Sequence, residues 1–287
     1  MLAAARAAPR ALPDGPRRTI RFVQAQAGPG GGFVDRAGAE DLYYTVFGLE
    51  ALRALGAEPP AETATFLRGF GDGEGLDLIH LASLIRCWAD LPETASPRPA
   101  CEALAARLEA LACPDGGYPA GGDGNSGTAY GGFLALGAWQ DLGAAVPDPQ
   151  GLARCLDNLR AGDGGYANDR AIPVETIPAT AAAVVTLIHL GQTPPPAAGE
   201  SLLSGARAGG GFAVADGVPA ADLLSTAVAL HALVGLGADL EAIRADTLDF
   251  VTGLQTEAGG FRGHDDDEQA DCEYTWYALL ALGHLSR

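Results

Sequence analysis

Two adjacent glycines followed by an aromatic ring recur five times along the chain, as Gly31-Gly32-Phe33, Gly116-Gly117-Tyr118, Gly164-Gly165-Tyr166, Gly210-Gly211-Phe212 and Gly259-Gly260-Phe261. After each comes an apolar stretch that ends near a glycine, over residues 45–56, 128–143, 180–191, 226–237 and 275–283. A sixth, over 76–88, follows the degenerate glycine loop Gly69-Phe70-Gly71-Asp72-Gly73. Such self-similarity through 287 residues means one supersecondary unit stacked repeatedly, because no single unit of this size can bury its own apolar face.

Amphipathic segments lie between the apolar ones, at 17–27, 61–69, 98–112, 149–160, 197–208 and 239–255. In the last of these Leu240, Ile243, Leu248, Val251 and Leu254 recur at helical spacing, while Glu241, Arg244 and Asp249 fall on the other side. The apolar class has no polar face, as in the run from Thr180 to Leu190, and such a helix is buried on both sides. Neither end of the chain reads as a polar capping repeat, so the pattern predicts a closed all-α toroid of six inner and six outer helices (α/α6). Residues 15–287 form one such domain of six helix-pair repeats, and 1–14 a flexible terminus. Every glycine loop then delivers an inner helix start to the same rim, where orphan N–H groups and partial positive charge suit an anion.

The formal net charge of −18 excludes a polyanionic partner such as nucleic acid and disfavours an acidic membrane surface. All 18 basic residues are arginine, a bias of GC-rich bacterial genomes. No apolar run reaches the length of a membrane span, and the Ala/Arg/Pro-rich start lacks the continuous apolar core of a signal peptide. Five cysteines, most of them in helical patterns, read as reduced thiols of a cytoplasmic protein.

The run Phe250-Val251-Thr252-Gly253-Leu254-Gln255 before Gly259-Gly260-Phe261, and Arg21-Phe22-Val23-Gln24-Ala25-Gln26 before Gly31-Gly32-Phe33, resemble the repeat shared by protein prenyltransferase β subunits and squalene-type cyclases. That resemblance covers essentially the whole chain. It implies a central apolar cavity for an isoprenoid such as a prenyl diphosphate, and prenyl transfer as the activity, with a helical protein partner as in the β-subunit enzymes.

Residues 259–276 resemble, without gaps, the β-subunit stretch that ends in a zinc-ligand cysteine and a tryptophan four residues later; these fall on Cys272 and Trp276. The family's aspartate ligand, two residues before the cysteine, falls on Ala270, with Asp271 one residue late. Its histidine ligand falls on Tyr44, and its diphosphate-binding arginine and lysine on His264 and Asp267. Zinc would therefore rest on Cys272, Asp271 and His264. The alternative leaves Cys272 as a small buried residue and Asp271 as a helix cap. Arg36, Arg170 and Arg262 remain as loop cations for a diphosphate, and the acidic run Asp265-Asp266-Asp267-Glu268 offers hard oxygens to magnesium.

A second register opens a different chemistry. Asp271-Cys272-Glu273-Tyr274-Thr275 resembles the Asp-x-Asp-Asp-Thr motif of squalene-type and class II diterpene cyclases, whose middle acid protonates an alkene; Glu273 takes that place and Tyr274 replaces the partner carboxyl. The third reading is a non-catalytic toroid that binds a lipid or protein. Asp41, Asp77 and Asp222 recur at the register of Asp271, which points to capping. Tyr43, Tyr44, Phe47, Trp88, Tyr130, Phe133, Tyr274, Trp276 and Tyr277 gather on four inner segments and suit an isoprenoid or a carbocation. His189, His231 and His284 read as core residues.

Overall fold

The computed structural model describes residues 1–287 except 93, 96, 97, 122, 123, 163 and 287. In chain order its helices are α1 (Leu2–Ala5), α2 (Pro16–Ala25), α3 (Leu42–Ala54), α4 (Thr63–Arg68), α5 (Leu78–Asp90), α6 (Cys101–Glu109), α7 (Ala129–Asp141), α8 (Pro149–Asp157), α9 (Ile177–His189), α10 (Pro196–Ser204), α11 (Leu223–Gly235), α12 (Glu241–Gly253) and α13 (Cys272–Leu285). Two antiparallel hairpins precede α3 and α13: β1 (Phe33–Val34) with β2 (Glu40–Asp41), and β3 (Phe261–Arg262) with β4 (Ala270–Asp271). The odd-numbered helices from α3 onward are the apolar class. The even-numbered ones are the amphipathic class.

Each apolar helix starts where its side-chain cap dictates, a few residues at most from the start expected from hydrophobicity. The caps are Asp41, Asp77, Asp222 and Asp271 on α3, α5, α11 and α13, and Thr128 and Thr176 on α7 and α9. In each case the side-chain oxygen accepts an N–H of the first turn, which satisfies one orphan donor. The threonines at which α3, α9, α11 and α13 were expected to begin instead lie one turn inside. There Thr45, Thr180, Thr226 and Thr275 accept the amide of the motif aromatic, from Phe33, Tyr166, Phe212 and Phe261, at 2.9–3.1 Å.

This threonine is a lock between loop and helix. Thr275 also donates to the Asp271 carbonyl at 2.6 Å and is wholly buried, as is the Phe261 ring. Thr275→Val keeps the shape but strands the Phe261 amide. The expected cost is about 2 kcal/mol, measurable as a fall in the denaturation midpoint with an unchanged slope.

The first glycine of each of the five motifs has φ between +87° and +100°. There is no room for a side chain there, because the backbone lies against an amphipathic helix: Gly116 on Gly151 of α8, and Gly259 on Arg18 of α2. The last motif thus seats on the first amphipathic helix.

The chain gathers into two compact units, 1–66 with 203–287, and 67–202. In the first, α13 packs between α3 and α11, so the first and last apolar helices are direct neighbours. In the second, α7 packs between α5 and α9. The start of the chain departs from the flexible terminus expected. Residues 1–10 form α1 and a 3₁₀ turn that lie on α13, burying Ala4, Ala5 and Ala8. Alanine there is small enough for the backbone to approach Gly283, where any side chain would meet the Ala4 carbonyl.

Candidate functional site

Aligning the six apolar helices on their caps isolates one chemically distinct side chain. Two residues after the cap stand Tyr43, Ile79, Tyr130, Pro178, Leu224 and, on α13, Glu273. The cap itself and the threonine two positions further on recur for structural reasons. The carboxyl of Glu273 does not.

Glu273 is half-buried at the start of α13, and the Tyr43 phenol of α3 donates to its Oε1 at 2.7 Å. Burial pushes the Glu273 carboxyl above its usual range; the Tyr43 hydrogen bond opposes this and the neighbouring Asp271 charge adds to it. The partner of this acid is therefore Tyr43, not Tyr274 as the motif register suggested. Tyr274 instead lies under the Arg36 guanidinium, 5.2 Å from its ring centre. Tyr44, in the histidine position, has a phenol raised to about 12 by burial and by the charges of Asp271 and Glu273.

Below the acid the rings continue. Tyr43 meets Phe47 edge-on at 4.9 Å between centres, and Phe47 meets Tyr277 at 5.6 Å. Trp276 is 2 % exposed and belongs to the core. In the other unit Tyr130 and Phe133 are half-buried near the start of α7, whereas Trp88 lies near the end of α5 with Arg98 over its ring.

Arg36 reaches from the β1–β2 hairpin to two carboxylates of the last repeat. Its Nε donates to Asp271 at 2.7 Å and its Nη2 to Asp267 at 2.8 Å, and both acids hold it firmly protonated. Asp271 is thereby fully used, with one oxygen on the Tyr274 amide and the other on Arg36. Arg262 turns its Nη1 to the carbonyls of Asp265 and Asp267. Arg170 lies exposed in the other unit, close enough for its charge to act on Cys155.

The donor set does not fit zinc. Cys272 is wholly buried, and burial with the adjacent Asp271 charge raises its thiol well above the ordinary value. The co-ligand expected beside it, Asp271, is held by Arg36, while His264 is exposed. Among the described residues no three His, Cys, Asp or Glu side chains come together as a metal site. Of the acidic run, Asp267 turns in to Arg36 and the Gly263 amide, while Asp265, Asp266 and Glu268 are exposed. Sequence reasoning missed the Arg36–Asp271 pair and the Tyr43–Glu273 pair. The cap alignment could have flagged the latter, since Tyr43 and Glu273 share one register.

A family model described as the prenyltransferase alpha-alpha toroid domain matches residues 17–85 and 196–286. Among solved structures, the apo type II terpene cyclase MstE from Scytonema is similar over 100 % of this chain and 98 % of its own, at TM-score 0.63 and 15 % identity. A variant of that cyclase in complex with geranylgeranyl dihydroxybenzoate, its substrate, is similar over 97 % of each chain, at TM-score 0.64 and 13 % identity. Candida albicans protein geranylgeranyltransferase-I complexed with GGPP is similar over 92 % of this chain and 89 % of that one, at TM-score 0.60 and 14 % identity. No curated protein matches in sequence. No helix among the described residues is long and apolar enough to cross a membrane.

Proposed function

The chain belongs to the prenyltransferase α/α toroid family, and from that premise we propose that it is an isoprenoid-binding enzyme that begins a cyclisation by protonating an alkene with Glu273. The observation that carries this reading is the half-buried Glu273 carboxyl, raised by burial and hydrogen-bonded through one oxygen by Tyr43. The phenol fixes Oε1 as the acceptor, which leaves the proton on Oε2. Once the proton has gone to the alkene, the same hydrogen bond and the Arg36 charge stabilise the glutamate left behind. The faces of Tyr43, Phe47 and Tyr277 stabilise the carbocation as it moves down the chain. The terpene cyclase that shares this fold is matched over nearly its whole length, so cyclase chemistry does not require a second toroid.

Prenyl transfer from a diphosphate is the second reading, favoured by the family relationship and by the GGPP-bound geranylgeranyltransferase of the same fold. It needs cations at the rim. The two arginines beside the start of α13 are committed to protein oxygens, and the exposed acids at 265, 266 and 268 repel a diphosphate. The free thiols of the five cysteines support a reducing, cytoplasmic setting.

Squalene, geranylgeranyl dihydroxybenzoate and GGPP, offered to the purified protein, separate the two. Cyclisation gives a product of unchanged mass and no pyrophosphate. Pyrophosphate release with a prenylated acceptor overturns the reading, as does failure to convert any of the three. The rate should hold at acidic pH and fall as pH rises through the raised Glu273 value. In Tyr43→Phe the carboxylate loses a donor, so the fall moves to higher pH; a shift to lower pH would contradict the assigned hydrogen bond.

A further inference from the structure

Two histidines that the sequence reads as core residues meet in the apolar interior of the first unit. His231 of α11 and His284 of α13 have Nδ1 and Nε2 3.0 Å apart, with ring centres separated by 5.1 Å. His284 is 4 % exposed; His231 is half-buried. A hydrogen bond between two imidazoles needs one donor and one acceptor nitrogen, so the pair shares at most one positive charge.

The pair lies on the same side of the scaffold as the acid. On α13, His284 follows Glu273 by eleven residues, or three turns, which brings the two to within about 20° on the helix surface, with Tyr277 and Leu280 between them. On α11, Leu224, Val228 and His231 form a half-buried stripe. The starts of α11 and α13 share one rim, where the Leu223 amide donates to the Gly263 carbonyl at 2.8 Å. His231 stands nine residues beyond its cap and Glu273 two, which sets His231 about 10 Å deeper along the helices. That is the span of several fused six-membered rings.

We infer that His231 is the base that ends the cyclisation and that His284 positions it; the inference rests on the cyclase reading above. With hydrogen on its Nδ1, donated to His284 Nε2, His231 keeps a lone pair on Nε2, on the more exposed ring of the pair. A C–H bond beside the final cationic carbon breaks, its electron pair becomes a new C=C bond, and the proton passes to Nε2. The imidazolium then releases that proton to water while Glu273 takes one from water, so the whole is an isomerisation. The far end of α13 is covered by α1 and the 3₁₀ turn, which limits the entry of water. An alkene, not an alcohol, is the expected product.

The test compares wild type, His231→Gln, His231→Phe and His284→Asn on squalene and on geranylgeranyl dihydroxybenzoate, with products resolved by mass spectrometry. Wild type should give one dominant alkene. Either His231 variant that remains folded by circular dichroism should lose at least ten-fold of that product's share to other alkene isomers and hydrated products. His284→Asn should shift the same distribution less, with initiation intact. An unchanged product distribution in a folded His231 variant overturns the base while leaving the cyclase reading in place. Failure of wild type to convert either probe removes the reaction that the base would end.

Discussion

Replacing Glu273 with glutamine is expected to abolish cyclisation, lowering kcat by about 10³-fold or more, while the thermal midpoint moves by less than about 2 °C. The two effects separate because the side chain's structural duties are few. The helix start is capped by Asp271, the loop is locked by Thr275, and neither uses the Glu273 carboxyl. Glutamine keeps the length and can still accept the Tyr43 phenol through Oε1. What it lacks is a proton acidic enough to give to an alkene. Glu273→Asp retains the acid but withdraws it by one methylene from Tyr43 and the bound chain, so it should keep a small part of the rate. Product formation under single turnover checks this directly. A Glu273→Gln protein that retains more than about a tenth of the wild-type rate would place the acid elsewhere, because removing a positioned general acid costs about 10²–10⁴.

Gly259→Val should destabilise strongly, at about 3 kcal/mol or a fall in Tm of roughly 6–12 °C. Gly259 has φ +99°, a backbone region that costs a side-chain-bearing residue about 1–2 kcal/mol. An added Cβ would also lie 2.8 Å from the backbone carbonyl of Arg18 on α2, which cannot move aside as a side-chain tip would. The contact joins residues far apart in sequence, the last repeat to the first. Gly209→Ala is the matched control, since a Cβ there meets nothing within 4 Å, and it should change stability by less than about 0.5 kcal/mol. Equal losses in the two variants would mean that the seat of the last motif on α2 contributes nothing to stability.

The features legible from the chain are those set by short-range physics. Whether a segment is a buried or a half-exposed helix follows from its own apolar pattern, and Asp41, Asp77, Asp222 and Asp271 announce themselves as caps because a cap acts on the next three residues. The glycine pairs likewise encode their turns locally. Glu273 could be singled out from a motif register. Tyr43 shares its register, two residues after a cap, but lies 230 positions away, and only the packing of α3 beside α13 turns that shared register into a hydrogen bond.

Similar reasoning separates the remaining outcomes. Asp271 is suited by sequence to a cap or to a zinc ligand, and the tertiary approach of Arg36 commits its second oxygen. A zinc reading depends on donors from several elements converging. Here Cys272 is sealed into the core and His264 faces outward, a difference no linear spacing encodes. His231 and His284 look like isolated core residues until α11 and α13 set their nitrogens 3.0 Å apart. The sequence by itself determined the repeating helix pair, its caps and its turns, because each is settled within one or two helical turns of chain. Only the tertiary structure decided which polar side chains meet, because burial makes an unmatched polar group costly and packing alone chooses its match.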